Sequence, residues 1–282
     1  MTVVKSREQG IGIFDSGLGG LSVLADLTKV HPGDEFHYYA DTHFAPYGEK
    51  SRDLVRKRVL EVAEKLLQRH IRLLVIACNT ATSAAVEELR QLMPIPVVGM
   101  EPALKPAVLG ETPLRIVVAA TPLTLKEKKF SALLQQNKGL HDIIPLPCPG
   151  LVEVIENAGP GSRQVDEKMA ELLAPVAQTP IHRLVLGCTH YVLIRPQWQQ
   201  AVGDGTQLVD GNEGTVRQAL RLLPATNEQE KHASTARIHL MTSASGLAPR
   251  EKMKHILHEQ LLQRGLPAAL LEKQMQIILE EE

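Results

Sequence analysis

Aromatic side chains are scarce: Phe, Tyr and Trp make up 3% of the 282 residues. Surfaces that bind single-stranded nucleic acid stack bases on aromatic rings, so this scarcity argues against that class. An excess of one charge is lacking too. Lys plus Arg number 31 and Asp plus Glu 32, which leaves no basic footprint for DNA or RNA. No apolar run reaches membrane-spanning length, and no membrane partner is expected. The polar segment 1–10 lacks the apolar core of a secretory signal, so secretion is not expected. Cysteines number three, an odd count that does not read as a disulfide framework. No two of them have C-x-x-C spacing, and Cys188 with His190 supplies only one short metal-ligand spacing. Free thiols in a reducing cytoplasm are the natural expectation.

What is present is an apolar fraction of 44% on a chain long enough for two ordinary domains. Strand-like and helix-like segments alternate, the mark of parallel α/β architecture. Strands are expected at 11–14, 35–40, 73–77 and 97–99, then at 114–119, 142–146 and 184–187, and last at 206–210 and 237–241. Ser51 can cap a helix over 52–70 with one apolar side. Further helices are expected to 30, over 80–92, from Thr121, over 163–177 and over 246–263. Pro145, Pro147 and Pro149 predict an irregular segment after the strand over 142–146, and 224–234 an exposed polar loop.

Two cysteines stand in near-copies of one motif. Leu73-Leu74-Val75-Ile76-Ala77-Cys78-Asn79-Thr80 and Leu184-Val185-Leu186-Gly187-Cys188-Thr189-His190 each read as buried strand, small residue, Cys, helix start. Each sulfur is thereby placed at the carboxyl end of a parallel strand, where open α/β sheets bind ligands. A helix N-terminus there favours thiolate. Asp15 precedes Cys78 by 63 residues and Thr121 precedes Cys188 by 67, so a strand, a polar loop and a later cysteine recur. Duplicated halves with a cleft between them follow. The expected division is 1–100 plus 211–282 as one α/β domain, with Asp15 and Cys78, and 101–210 as the other, with Cys188 and His190.

Other motifs read as structural. Gly17-Leu18-Gly19-Gly20 fails the G-x-G-x-x-G spacing, and its glycines are expected to permit a tight strand-to-helix turn. Cys148 lacks a matched partner and is expected to pack. Asp15 reads as a helix cap or a base near Cys78, Glu153 as a solvated surface residue, and Glu156 as a group that orients His190. Cys188 with His190 alone would suit covalent acyl chemistry, which leaves Cys78 unexplained.

Taken together, Phe14-Asp15-Ser16-Gly17, Pro46-Tyr47-Gly48, Ala77-Cys78-Asn79-Thr80, Thr121 with Thr124, and Leu186-Gly187-Cys188-Thr189-His190 resemble the glutamate racemases of the aspartate/glutamate racemase superfamily. The resemblance implies two pseudo-symmetric, doubly wound parallel-sheet domains with the active site in the cleft. It implies interconversion of L- and D-glutamate without cofactor or metal, supplying D-glutamate for peptidoglycan. By that match Cys78 deprotonates D-glutamate and Cys188 L-glutamate, supported by Asp15 on one side and by His190 with Glu156 on the other. Ser16, Tyr47, Gly48, Asn79, Thr80, Thr121, Thr124 and Thr189 fall where such enzymes hold the substrate. A homodimer is compatible with the resemblance. Val192 and Asp210-Gly211-Asn212 depart from the expected pattern. The alternatives are an aspartate or broad-specificity racemase, a single-cysteine hydrolase or lyase, and a binding protein without catalysis.

Overall fold

The computed structural model describes residues 10–100, 103–110, 113–137, 139–223, 235–268, 271 and 275–281. The chain begins with β1 (Gly10–Asp15), α1 (Leu21–Val30), β2 (Glu35–Ala40), a 3-10 turn (Tyr47–Glu49), α2 (Arg52–Leu67), β3 (Ile71–Ile76), α3 (Asn79–Leu92) and β4 (Val97–Gly99). After the short α4 (Leu104–Ala107) come β5 (Arg115–Ala120), α5 (Pro122–Lys126), α6 (Lys128–Gln136), β6 (Asp142–Pro147), α7 (Leu151–Ala158) and α8 (Arg163–Leu173). Then follow β7 (Arg183–Leu186), α9 (Thr189–Leu193), α10 (Arg195–Val202), β8 (Gln207–Asp210) and α11 (Asn212–Leu222). The chain ends with β9 (Ala236–Thr242), α12 (Leu247–Gln263) and β10 (Met275–Leu279).

Two parallel sheets result, ordered β10-β9-β2-β1-β3-β4 and β6-β5-β7-β8. Without β9 and β10 the two orders are the same, 2-1-3-4 against 6-5-7-8. Each sheet therefore reverses direction of growth beside its first strand, and ligands bind outside the carboxyl ends of strands at such a switch point. Cys78 follows β3 and Cys188 follows β7, the equivalent strands.

Burial on both faces explains the apolar strands. Ile11, Ile13, Phe36 and Tyr38 face α1 and α12, while Phe14, Leu74 and Ile76 face Val55, Val59 and Val62 of α2. One apolar cluster runs from α1 through Val117, Leu186 and Trp198, so the two halves share a core.

Several elements differ from the sequence expectation. The helix capped by Ser51 ends at Leu67, because His70 turns with φ +55° and β3 starts at Ile71. The helix expected over 163–177 ends at Leu173, since Pro175 has no N–H to continue it. Pro145 and Pro147 lie inside β6, which tolerates them as the edge of its sheet. β10 is an added edge strand whose partly buried MQIIL gave little alternation to find. The polar stretch 224–234 lies outside the described residues.

Candidate active site

The site grows from strand ends. Cys78 is the N-cap of α3, and its Sγ accepts the Ala81 N–H at 3.4 Å. Ser16 Oγ lies 3.4 Å from the same sulfur. Burial, with the Asp15 carboxylate nearby, pushes the Cys78 thiol up to about 12, against the lowering effect of the Ser16 and Ala81 hydrogen bonds. Cys78 is therefore a thiol at neutral pH.

Cys188 has a different setting. Its Sγ is 3.9 Å from His190 Nδ1, and His190 Nε2 is 2.7 Å from Glu156 Oε1. Burial alone would lower the His190 pKa. The hydrogen bonds to Cys188 and Glu156 outweigh it and hold the imidazole well above its usual value. Burial would likewise raise Glu156, but His190 draws its pKa below the ordinary carboxylate range. The arrangement is a chain of contacts from the Cys188 sulfur through the His190 imidazole to the Glu156 carboxylate.

Groups from the two halves interlock around these sulfurs. Asp15, at the end of β1, accepts the Gly17 N–H at 2.8 Å and the Thr189 hydroxyl at 2.9 Å. Burial raises its pKa, although His190 opposes this. Glu156 Oε1 also accepts the Leu18 N–H at 3.0 Å. Thr80 Oγ1 stands 3.1 Å from Thr121 Oγ1 and 3.2 Å from Thr124 Oγ1. The glycine loop serves this contact rather than an unusual turn. Gly17 and Gly19 do not have positive φ, but a Cβ on Gly17 would meet Glu156 Oε1 at 1.9 Å and one on Gly19 would meet Thr189 Oγ1 at 2.4 Å.

Cys78 and Cys188 both line one pocket that opens to solvent. Among the expected residues, Ser16, Tyr47, Gly48, Cys78, Asn79, Thr80, Thr121, Cys188 and His190 line it. Asp15, Glu156, Thr124 and Thr189 are not in that lining; Glu156 holds its member His190, Thr124 holds Thr80 and Thr121, and Asp15 and Thr189 bond each other. Pro46, Glu49, Pro122, Cys148, Pro149, Gly150, Val152 and Glu153 complete the lining. Glu153 corrects the surface expectation: it is half-buried, and burial and the Glu49 carboxyl push its pKa up. Cys148 is buried and also reaches the cavity, with its thiol directed to the Leu146 carbonyl. Its place at the carboxyl end of a predicted strand was the signal available in the sequence. The lining includes no lysine or arginine. Asn79 Oδ1 is buried without a hydrogen-bond partner.

A sheet pair with this repeat and a thiol at each switch point defines a class, and comparison with known proteins identifies it. Residues 22–219 match the family described as Asp/Glu/Hydantoin racemase, and the chain belongs to that family. Its relatives there are glutamate racemases. The enzyme of Clostridium novyi is 45% identical over 214 residues, covering 76% of this chain and 83% of its own. Another, from Clostridium acetobutylicum, is 42% identical over 238 residues, covering 84% of this chain and 93% of its own. The solved Escherichia coli glutamate racemase, in complex with L-glutamate and an activator, UDP-MurNAc-Ala, superposes with a TM-score of 0.76. That comparison has 28% identity and covers 97% of this chain and 98% of the other.

Proposed function

We propose that this protein is a glutamate racemase, an isomerase that works through two thiols and needs no cofactor. The observation that carries the reading is a pair of cysteines on one cavity, each at the end of an equivalent strand in a repeated fold. Inversion at a carbon that bears hydrogen needs a base on one face and an acid on the other. Cys188, beside an imidazolium, is suited to carry negative charge and take the α-proton of L-glutamate. Cys78, held as a thiol, is suited to deliver a proton to the opposite face. In the reverse direction the roles exchange. The two enantiomers have equal free energy in water, so kcat/KM must be the same in both directions at every pH.

The carbanionic transition state needs its charge stabilised where it develops. The Asn79 and Thr80 N–H groups at the start of α3 and the hydroxyls of Ser16, Thr80 and Thr121 are donors for carboxylates in a cavity without lysine or arginine. The unpartnered Asn79 Oδ1 is placed to accept from the α-ammonium group. Asp15 and Thr189 link the two sides of the site. Interlocked halves exclude water, which strengthens these contacts. Among the described residues no helix is long and apolar enough to cross a membrane. We place the enzyme in the cytoplasm, where its thiols stay reduced, and its product in cell-wall synthesis.

The test is incubation of the pure protein with L-glutamate and, separately, L-aspartate, followed by chiral chromatography. D-glutamate is expected, with aspartate turned over far more slowly. Failure to form D-glutamate overturns the reading, and equal turnover of aspartate replaces it with a broad-specificity racemase.

A further inference from the structure

A second cluster of titratable side chains lies away from the cleft, on the early residues of β2 and the middle of β9. His37 and His239 are register partners on these neighbouring strands, and their rings stack with centroids 4.6 Å apart. Glu35 Oε1 stands 2.9 Å from His239 Nε2 and 3.7 Å from His37 Nε2. One donor atom from each of Glu35, His37 and His239 falls within 4.8 Å of the other two.

The tautomer of His239 is set from behind. Its Nδ1 is 2.5 Å from Glu280 Oε1, so the ring proton belongs on Nδ1 and the Nε2 lone pair faces forward. That lone pair meets Glu35 Oε1 at close range but outside hydrogen-bond alignment, and His239 Nε2 has no hydrogen-bond partner. His37 is 6% exposed, and its Nδ1 also lacks a partner. The carboxylates are anchored rather than loose: Arg237 holds Glu35 Oε2 at 2.7 Å and Arg69 holds Glu280 Oε2 at 2.6 Å. Each acid thus turns its other oxygen to the imidazoles.

We propose that Glu35, His37 and His239 form a site for one divalent transition-metal ion of the zinc type, with Glu280 orienting His239 from outside the ligand set. Two imidazoles and one carboxylate suit zinc, cobalt or nickel and not magnesium or calcium. A carboxylate on the far nitrogen of a ligating histidine is the usual second partner of such sites. Bonds of about 2.0–2.2 Å in tetrahedral geometry give ligand-to-ligand edges of roughly 3.3–3.6 Å, near the 2.9 and 3.7 Å that Glu35 Oε1 keeps from the two Nε2 atoms, and the stacked rings must turn about their side-chain torsions for both lone pairs to meet at the ion. An ion in line with Nε2 also explains why Glu35 Oε1 is near that nitrogen yet off its axis. The site lies toward the amino ends of strands whose carboxyl ends face the cleft. Its role is to tie β9, and through Glu280 the chain end after β10, to β2. It takes no part in proton transfer.

The test uses full-length, tag-free protein stripped with chelator, titrated with zinc chloride by calorimetry and with cobalt(II) by visible absorption. The proposal expects one tight equivalent, cobalt d–d bands of a low-coordinate nitrogen–oxygen site, and a rise in Tm with zinc. His37→Gln and His239→Gln should each lose the equivalent while their circular dichroism stays native. Glu280→Gln should weaken it by about 10–100-fold. The active-site thiols are the competing zinc ligands, so the same titration is run on Cys188→Ser protein, where the equivalent should persist. An equivalent that vanishes in Cys188→Ser and ignores His239→Gln overturns the proposal. So does an absence of binding in the unmodified chain.

Discussion

At the scale of single residues, the two cysteines are equivalent by topology and unlike by environment. Cys78 is held as a thiol by burial and a nearby carboxylate, and Cys188 faces an imidazolium. Replacing one sulfur should therefore leave the other half of the chemistry. Cys78→Ser is expected to lose racemisation by several orders of magnitude yet slowly wash solvent deuterium into L-glutamate. Cys188→Ser should do so only with D-glutamate. Proton NMR of each enantiomer in D2O reads the difference, and equal exchange of both enantiomers by either variant contradicts the assignment. The Glu156–His190 pair carries a pH signature. Glu156 lies below its ordinary 4.5, so its contribution to stability is present above that pH and fades as pH falls through the lowered value. His190 lies well above 6.5, so its contribution is whole below 6.5 and fades as pH rises through the raised value. Glu156→Gln should thus cost about 3 kcal/mol between roughly pH 5 and 6.5, as for other broken buried pairs, and less in alkali. Urea melts at pH 6 and pH 10 check this, and a constant gap would refute it.

At the scale of elements, the loop that brings Tyr47 and Gly48 to the cavity is clamped by α2. Arg58 grips Asp41 with both carboxylate oxygens, at 2.8 and 2.7 Å, and Tyr47 donates to Asp41 Oδ2 at 2.7 Å. Burial would raise the Asp41 pKa, but these hydrogen bonds hold it below the usual range. Arg58→Lys loses the two-pronged grip and should raise KM several-fold with little change in kcat. Steady-state kinetics separate the two, and an unchanged KM would show that the clamp is structural only. The same scale shows why some of the site was hidden. Tyr47 and Gly48 stood out through a family pattern, whereas Asp41 and Arg58 carry no local signature. Gly17 and Gly19 were visible as a glycine loop, but their reason is contact with Glu156 and Thr189, 139 and 170 residues away. Gly19→Ala should accordingly destabilise the protein by about 1–3 kcal/mol through overpacking. Thermal melts test this.

At the scale of the whole molecule, the parallel α/β class and the repeated halves were legible from alternating apolar segments and the two Cys motifs. The sheet order β2-β1-β3-β4 against β6-β5-β7-β8 was not, because it depends on crossovers rather than on local pattern. β10 was missed for lack of alternation, and Glu153 because its neighbour Glu49 comes from a distant part of the sequence. The shared apolar cluster and the contacts from Asp15, Leu18 and Thr80 into the second half predict joint unfolding of the halves. Trp198, the sole tryptophan, is fully buried in the second half and offers a local probe. Its fluorescence and far-UV circular dichroism should give one coincident urea transition. The most direct test of the central claim, two thiols acting from opposite faces, is turnover of L-glutamate in D2O by the unmodified enzyme. Early D-glutamate should carry one solvent deuterium at Cα while unreacted L-glutamate stays protiated. Deuterium entering the L-glutamate pool as fast as D-glutamate appears, or protium kept in the product, would point to a single base and contradict the account.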